Sequence, residues 1–251
     1  MGINKKIIGI IPARYGSTRF PGKPLAVVAG VTMIERVYVQ AKKSKRLDEV
    51  VVATDDTRIE TVVKSFGGRV VMTSDKHQSG TDRCVEALKN ITGTWDIAIN
   101  IQGDEPFIFP EQIDQLIQCF DDGKTDIATL VKKIGSREEI YNPNVVKVIR
   151  SKNHEALYFS RAQVPFNRTG GEDLLIPATY YKHIGIYGYR IDTLYKLAAL
   201  PQSSLELTES LEQLRWMENG YRIMTAVTAY ENTAIDTPED LEGILKSMKP
   251  L

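Results

Sequence analysis

Short apolar runs alternate with segments of helical periodicity along the first half of the chain, and this alternation restricts the possible folds more than any other feature. Runs with the length of a buried strand cover residues 7–11, 50–53, 69–72 and 97–101. Segments with helical spacing follow them at 33–41, 57–66, 81–89 and 110–120. Strands joined through helices in this way form a parallel sheet that is covered on both faces. The pattern therefore predicts an α/β fold with a mostly parallel, Rossmann-like sheet.

The second half of the chain has a different pattern of apolar and polar residues. Residues 144–150 and 156–160 alternate between apolar and polar side chains around a short polar stretch, which predicts an antiparallel hairpin. The remaining elements are predicted as a strand at 183–190, a helix at 205–219, a strand at 223–228 and a helix at 237–247. The segment 167–177 is the candidate for a mobile loop. Because no low-complexity linker is visible, we expect a single domain over 1–251, with an antiparallel region at about 140–190.

Charge and cysteine content narrow the possible partners and the compartment. The 251 residues include 32 basic and 32 acidic side chains, which argues against a protein that binds nucleic acid by bulk phosphate attraction. Cys84 and Cys119 lack metal-ligand spacing, so each is expected to be a small apolar residue of a helix in a reducing compartment. Since neither a long apolar run nor a signal peptide is visible, the expectation is a cytoplasmic protein without a membrane partner.

The first apolar run leads directly into a loop rich in cations. The sequence IIGIIPARYGSTRFPGK, residues 7–23, places Arg14, Arg19 and Lys23 in one short segment. The backbone amides of residues 16–18 can approach an anion closely, because glycine tolerates positive φ and its neighbours are small. The segment therefore predicts a cradle for a polyphosphate.

Two familiar nucleotide-binding loops do not fit this segment. Five residues separate Gly16 from Gly22, where a Walker loop has four, and Pro24 follows Lys23 in place of Ser or Thr. The GxGxxG dinucleotide fingerprint is also missing after the strand. A plain solvated basic loop is disfavoured as well, since Pro21 and Pro24 fix the backbone around Lys23.

Acidic residues indicate a metal. The fourth apolar run ends in NIQGDEP, so Asp104 and Glu105 are expected at the carboxyl edge of the sheet, where ligands gather. Carboxylates beside a triphosphate imply a divalent cation between them, and Mg²⁺ is the usual one. Asp236 is a second candidate acid. It could cap the helix that begins near Pro238, or it could bind metal while Thr237 forms the cap.

Further polar groups form two clusters in the sequence. In HQSGTDR, Ser79 and Thr81 can cap a helix, contact a nucleotide base, or do both, and Arg83 can reach the same nucleotide. The second half contributes Arg161, His183, Glu212 and Gln213. A single residue of these types is more often structural than catalytic. Together they have the composition of a sugar-acid pocket in which arginine pairs with a carboxylate.

The chain resembles the 3-deoxy-manno-octulosonate (Kdo) cytidylyltransferases over nearly its whole length. The resemblance rests on IPARYGSTRFPGKPL, VATDD, HQSGTDR, NIQGDEP, NPNVVKV, YFSRA, HIGIYGYR, LEQLR and IDTPEDLE. A related form that uses an 8-amino sugar often has GDQP, so Glu105 favours Kdo itself. Leu207 and Thr208 depart from the His and Ile of some members, at the outer wall of the sugar pocket.

The resemblance implies a nucleotidyltransferase-type sheet and the transfer of CMP from CTP to Kdo, which supplies lipopolysaccharide synthesis. The alternatives are 8-amino-Kdo or another sugar acid as the acceptor, and a non-catalytic nucleotide-binding regulator. The family pattern also implies a homodimer, for which the antiparallel hairpin is the candidate interface.

The resemblance also implies roles for individual residues. Lys23, Asp104 and Asp236 would be catalytic, and the two acids would hold a Mg²⁺ cofactor, with a second Mg²⁺ on the CTP phosphates. The implied nucleotide-binding residues are Pro12, Ala13, Arg14, Arg19, Lys23, Gln78, Ser79, Gly80, Arg83 and Gln102. The implied sugar-binding residues are Gln102, Arg161, His183, Tyr187, Glu212 and Gln213.

Overall fold

The computed structural model describes residues 5–16, 19–77, 79–168, 180–231 and 234–247. The chain divides into two compact units. Unit 1 comprises Met1–Asp114 and Asn232–Leu251, and unit 2 comprises Gln115–Glu231. The candidate mobile loop lies outside the described residues from position 169 onward. The single domain over 1–251 stays a prediction, and the antiparallel region expected at about 140–190 belongs to unit 2.

The elements of unit 1 follow the predicted alternation of strands and helices. They are β1 (Ile7–Ala13), a 3₁₀ helix (Lys23–Leu25), β2 (Val27–Val28), β3 (Val31–Thr32), α1 (Met33–Ala41), β4 (Glu49–Thr54), α2 (Thr57–Ser65), β5 (Val70–Met72), α3 (Gly80–Asn90), β6 (Ile97–Asn100) and α4 (Pro110–Gln118), which contains the boundary of the unit. The last helix of the chain, Pro238–Ser247, also belongs to unit 1.

The sheet of unit 1 is parallel. Its strands follow the order β6-β1-β4-β5, and Ile10 of β1 lies opposite Val51 on one side and Asn100 on the other. Ile8, Ile10 and Val51 are fully buried, as expected for a central strand that has helices on both faces. The α/β prediction is confirmed, and the predicted strands and helices of this unit end within about two residues of the observed ones.

Local sequence signals set the helix boundaries of unit 1. The Asp56 carboxylate accepts the N–H of Arg58 at 2.9 Å and begins α2, and the Ser79 hydroxyl accepts the N–H of Asp82 at 3.1 Å and begins α3. Both are N-caps of the preferred type. Cys84 is buried within α3, as predicted, whereas Cys119 lies one residue beyond α4.

Unit 2 is built mainly from antiparallel pairs. Its elements are β7 (Ile127–Lys133), α5 (Arg137–Tyr141), β8 (Lys147–Arg150), β9 (Ala156–Ser160), β10 (Tyr181–Arg190), α6 (Ile191–Ala198), α7 (Ser204–Glu209), α8 (Glu212–Glu218) and β11 (Ile223–Val227), and the last helix of unit 1 is therefore α9. β10 pairs antiparallel with β7 and β8, β8 pairs antiparallel with β9, and β11 runs parallel to β7. The predicted hairpin is confirmed, although its first strand begins at Lys147.

The single helix predicted at 205–219 is wrong. Two helices occupy the segment, because Ser210 adopts a left-handed conformation with φ of 53° between α7 and α8. The helices then face each other through the buried pair of Glu206 and Arg215, whose Nε lies 2.7 Å from Glu206 Oε2. The predicted elements also lack β2 and β3 of unit 1 and β7, α5 and α6 of unit 2.

Candidate active site

The cationic loop follows β1 and ends in a tight turn, in which the N–H of Lys23 donates to the Phe20 carbonyl at 3.1 Å. The N–H of Gly22 donates to the Tyr15 carbonyl at 2.9 Å, and Gly22 has φ of 72°. A Cβ atom on Gly22 would lie 3.0 Å from the Tyr15 ring, so glycine is required here by both conformation and space. The turn delivers Lys23 as the first residue of the 3₁₀ helix. Ser17, Thr18 and Gln78 lie outside the described residues.

Lys23 lies between two carboxylates that are distant in sequence. Its Nζ donates to Asp104 Oδ2 at 2.7 Å and to Asp236 Oδ1 at 3.1 Å, and the Lys23 side chain is only 14% exposed. Arg19 Nη2 also donates to Asp236 Oδ1, at 3.2 Å, from an exposed position. The three residues that the resemblance names as catalytic are therefore in direct contact.

The backbone around Asp236 explains how it reaches Asp104. The N–H of Ile235 donates to the Asp104 carbonyl at 3.0 Å, and the Ile235 side chain is buried. The Thr237 hydroxyl accepts the N–H of Asp240 at 3.2 Å, while the Asp240 carboxylate accepts the N–H groups of Asp236 and Thr237. This reciprocal cap begins α9. Thr237 therefore caps the helix, and the Asp236 carboxylate is left to face Lys23.

These groups line a cavity of about 300 Å³ in unit 1. Its wall contains Pro12, Ala13, Arg14, Arg19, Lys23, Pro24, His77, Ser79, Gly80, Arg83, Gln102, Gly103, Asp104 and Asp236. Every predicted nucleotide-binding residue that the structure describes is on this wall. Pro24, His77 and Gly103 were not predicted individually, although each lies inside a motif that was.

Gly103 allows the loop after β6 to pack directly against the end of β1 in the cavity wall. A Cβ atom at this position would lie 2.9 Å from the Pro12 carbonyl oxygen, a separation that side chains do not reach without a shift of the backbone. The loop after β6 can therefore pass directly beside the end of β1. This close approach places Asp104 beside the cationic loop, and it gives a physical reason for glycine in the sequence QGDE.

Arg83 and His77 are held in position by contacts with other side chains. Arg83 is buried, donates through Nη1 to Thr73 Oγ1 at 2.6 Å, and lies 3.4 Å from Asp55 Oδ1. His77 contacts Glu86 through Nε2. The N–H of Ser74 donates to Glu86 at 3.0 Å, and this bond, together with the one from His77, lowers the pKa of Glu86. Both side chains thus reach the cavity in fixed positions.

The predicted sugar-binding residues other than Gln102 lie in unit 2. His183 of β10 has Nε2 3.0 Å from Thr129 Oγ1, and its ring packs edge-on against Phe159. Burial lowers the pKa of His183 to about 3, so the imidazole is neutral. Among the described residues, the Tyr187 hydroxyl and the Gln213 side-chain nitrogen are buried without a hydrogen-bond partner. Such groups are polar atoms that a hydroxylated ligand could satisfy.

Arg161 makes a different set of contacts from the predicted one. Its guanidinium donates to the carbonyls of Pro143 at 3.0 Å, Glu209 at 2.7 Å and Ser210 at 3.4 Å. The buried Lys147 ammonium, whose pKa is lowered by burial, donates to the Arg161 carbonyl at 2.6 Å. In this structure Arg161 therefore joins backbone segments, and its pairing with a sugar carboxylate stays a prediction. Glu212 is the first residue of α8 and is half-buried.

The donor set fits Mg²⁺. Cations of this type are bound in proteins by one or two carboxylates together with substrate phosphates, not by a complete protein cage. Asp104 and Asp236 converge on one cationic nitrogen, which shows that both oxygens can reach a common positive charge. In the described part of the chain no cluster of three or more His, Cys, Asp or Glu residues could hold a metal by itself.

None of the helices in the described ranges has the length and apolar character required to cross a membrane.

Comparisons with known proteins agree with this geometry. The family model described as cytidylyltransferase matches residues 8–223. The chain is 57% identical to the 3-deoxy-manno-octulosonate cytidylyltransferase of Parabacteroides distasonis, over 96% of this chain and 97% of the relative, and 56% identical to that of Bacteroides thetaiotaomicron, over 97% and 98%.

Solved structures show the same relationship. A CMP:2-keto-3-deoxy-manno-octonic acid synthetase complexed with CTP superposes with a TM-score of 0.90 at 44% identity, covering 97% of this chain and 98% of that one. A 4-diphosphocytidyl-2C-methyl-D-erythritol synthase from Anaerococcus prevotii, 15% identical, covers 99% of this chain and 100% of its own with a TM-score of 0.63, and shares the fold. The chain therefore belongs to the cytidylyltransferase family, in the group of the 3-deoxy-manno-octulosonate cytidylyltransferases.

Proposed function

We propose that this chain transfers CMP from CTP to Kdo and releases diphosphate. The observation that carries the proposal is the contact of Lys23 with both Asp104 and Asp236 at the wall of a cavity that also contains Arg14 and Arg19. Attack of a sugar hydroxyl on the α-phosphate requires alignment and charge neutralisation more than covalent catalysis. Cations and paired acids in one cavity supply both. The 57% identity to a relative of that name supports the assignment.

The cationic loop binds the triphosphate. Arg14 and Arg19 are exposed at the cavity and present guanidinium groups, which match phosphate oxygens in geometry and charge. Lys23 exchanges its carboxylate acceptors for phosphate oxygens when the nucleotide arrives, and its charge then stabilises the departing diphosphate. Ser79 is the N-cap of α3 and Arg83 lies in its first turn, and both line the cavity, so we assign them to contact with the nucleoside.

Asp104 and Asp236 would activate the attacking sugar hydroxyl through the metal that they hold. A Mg²⁺ held by Asp104 and Asp236 would lower the pKa of the attacking hydroxyl and neutralise charge on the reacting phosphate. The bond from Ile235 N–H to the Asp104 carbonyl fixes the spacing of the two carboxylates before any ligand binds. The neutral His183 and the buried polar atoms of Tyr187 and Gln213 support recognition of a polyhydroxylated acid.

The activity is tested by measuring diphosphate release with each of the four nucleoside triphosphates and a panel of sugar acids. We expect CTP with Kdo to react with the highest kcat/KM, UTP to be a poorer donor, and sialic acid to be a poor acceptor, because a pocket that hydrogen-bonds particular hydroxyls rejects analogues that leave its groups unpaired. Absence of diphosphate release with CTP and Kdo would refute the proposal. Competition between Kdo and 8-amino-Kdo, followed by mass spectrometry of the products, decides between the two acceptors.

The acid pair is tested by substitution. Asp104→Asn and Asp236→Asn should each lower kcat by about two orders of magnitude or more, because an amide is a poor Mg²⁺ ligand. Asp192→Asn is the matched control, since Asp192 is an exposed aspartate in the first turn of α6. Turnover at the control level in either acid variant, at saturating Mg²⁺, would remove that residue from the mechanism.

We further propose a cytoplasmic homodimer that supplies activated sugar for lipopolysaccharide. The most exposed large apolar side chains among the described residues of unit 2 are Leu157 at 57%, Phe166 at 79% and Leu207 at 62%. Exposed apolar side chains of this kind support an interface that includes the β8–β9 hairpin. Cys84 and Cys119 are both free, which is consistent with a reducing compartment.

A further inference from the structure

A chain of contacts connects helix α2 to the cationic loop. Tyr15 is the first link, because its carbonyl accepts the N–H of Gly22 and its ring lies 3.0 Å from the position that a Cβ atom on Gly22 would occupy. Tyr15 and Gly22, the two ends of this loop segment, are thus joined by a backbone hydrogen bond and by contact with the Tyr15 ring. Lys23 follows directly, so the direction in which it leaves the turn depends on where Tyr15 is held.

Arg58 stacks on Tyr15. The central carbon of its guanidinium lies 3.3 Å from the centroid of the Tyr15 ring, which is the separation of a stacked cation–π pair. Arg58 Nε and Nη2 both donate to Asp56, at 2.9 and 2.6 Å, so the guanidinium plane is fixed by two parallel bonds. Asp56 in turn is the N-cap of α2 and accepts the N–H of Arg58. The ring of Tyr15 therefore rests on a group that the helix start holds rigid.

Global stability does not explain this arrangement. The Arg58 side chain is 57% exposed, and exposed ion pairs contribute little to folding because water screens them and the long side chain loses rotamer freedom. The effect of the stack must therefore be sought locally. Arg58 is absent from the cavity wall, whereas Arg19 and Lys23 are on it.

We propose that Arg58 is a positioning residue for the triphosphate-binding loop. Its stack on Tyr15, fixed by Asp56, keeps the ring against Gly22 and so sets the position from which Arg19 and Lys23 reach the phosphates. The proposal rests on the proposed function in one respect, namely that this loop binds the phosphates of CTP. It concerns nucleotide binding and leaves the recognition of the sugar unchanged.

Calorimetric titration of CTP into the full-length protein, without sugar, tests the proposal. Arg58→Ala should weaken CTP binding about three- to tenfold, the loss expected for one cation–π contact that orders a binding group. Arg58→Lys should recover part of the affinity, since a cation remains over the ring while the fork to Asp56 is lost. Tyr15→Phe should bind like the wild type, and Tyr15→Leu like Arg58→Ala. Arg69→Ala is the matched control, because Arg69 forms an ion pair with Glu49 outside the cavity.

Two further measurements separate positioning from general destabilisation. The Arg58→Ala variant should keep the wild-type melting temperature and the wild-type KM for the sugar, while KM for CTP rises. The double variant Arg58→Ala/Tyr15→Leu should bind CTP no more weakly than the worse single variant, because both remove the same stack. An Arg58→Ala affinity equal to that of Arg69→Ala, or a fully additive double variant, would overturn the proposal.

Inorganic triphosphate distinguishes this proposal from the proposed function. If the wild type binds triphosphate but not CTP, the cytidylyltransferase assignment fails, and the same variant series titrated with triphosphate still decides the role of Arg58. If the wild type binds neither compound, the loop is not a phosphate site and both proposals fail.

Discussion

At the scale of single residues, the proposed function gives Lys23 two roles that follow each other in time. In the absence of ligand its ammonium neutralises Asp104 and Asp236, which would otherwise repel each other. A cation that lies 2.7 and 3.1 Å from the two carboxylates also competes with any other cation for them. Metal binding at the acid pair and release of Lys23 to the phosphates should therefore be coupled, so that each favours the other.

This coupling predicts the behaviour of Lys23→Gln. Without nucleotide, the variant should bind Mn²⁺, a spectroscopic substitute for Mg²⁺, at least about tenfold more tightly than the wild type, since a competing positive charge has been removed. Electron paramagnetic resonance of free Mn²⁺ measures the affinity directly. Lys43→Gln, which alters an exposed lysine after α1, is the control. Equal Mn²⁺ affinity in the two variants would contradict the competition.

His183 gives a second prediction at the residue scale. Its pKa is lowered to about 3 by burial, whereas the unfolded chain should titrate near 6.5. Between these values the unfolded state binds a proton that the folded state does not, so the free energy of unfolding should fall as the pH falls. The expected slope is at most about 1.4 kcal/mol per pH unit for this one group.

Urea denaturation from pH 7 to pH 4 measures this dependence. His183→Gln should lose less stability than the wild type over the same range, because it removes the group that takes up the proton. Parallel loss of stability in the two proteins would show that His183 does not contribute. Both proteins contain His77 and His154, so the comparison isolates the substituted position.

At the scale of elements, the break between α7 and α8 shows what a local pattern misses. Apolar residues continue with helical spacing through 205–219, and nothing in that spacing requires Ser210 to leave the helical region. The break is stabilised by a tertiary contact, the pair of Glu206 and Arg215, in which both residues are less than a tenth exposed. In a continuous helix, Glu206 and Arg215 would be more than two turns apart and could not form this ion pair.

The Glu206–Arg215 pair therefore carries a stability prediction. Arg215→Leu should lower the free energy of unfolding by about 3–5 kcal/mol, since it leaves the Glu206 carboxylate buried without its partner. The double variant Glu206→Leu/Arg215→Leu should recover much of this loss. Lys64→Ala removes the exposed i,i+4 pair with Glu60 in α2, and it should change stability by less than about 0.5 kcal/mol. A loss from Arg215→Leu as small as the control would show that the pair is not a stabilising feature.

At the scale of the whole molecule, the sequence predicts the fold better than it predicts the site. The βα alternation of unit 1 follows from local periodicity and caps, and the cationic loop follows from one short segment. The strand β7, whose first five residues are buried, is absent from the elements predicted for the second half of the chain. Asp104 and the cationic loop both follow parallel strands, so their meeting at the carboxyl edge of the sheet could be predicted. Asp236 lies 213 residues from Lys23, and no local spacing indicates that contact.

The proposed homodimer gives a prediction at this scale. Sedimentation analysis should show a species of twice the 28.2 kDa of one chain. Leu157→Glu should shift the equilibrium toward the monomer, because it places a charge in an apolar interface. Val39→Glu is the control, since Val39 is exposed by 45% on α1 of unit 1. A monomeric wild type, or a Leu157→Glu protein that remains dimeric, would refute the proposed interface.

The return of the chain to unit 1 after unit 2 has a consequence for biosynthesis. Asp236 leaves the ribosome 132 residues after Asp104, which at ordinary elongation rates is a delay of roughly 7 to 26 s. During that interval the nascent strands of unit 1 can pair and the cationic loop can form, but the second carboxylate has not yet been made. A stalled or clipped translation product that ends before Asp236 would therefore leave Arg19 without its carboxylate and Lys23 with Asp104 alone. Completion of the active centre thus reports that the polypeptide has been translated through Asp236.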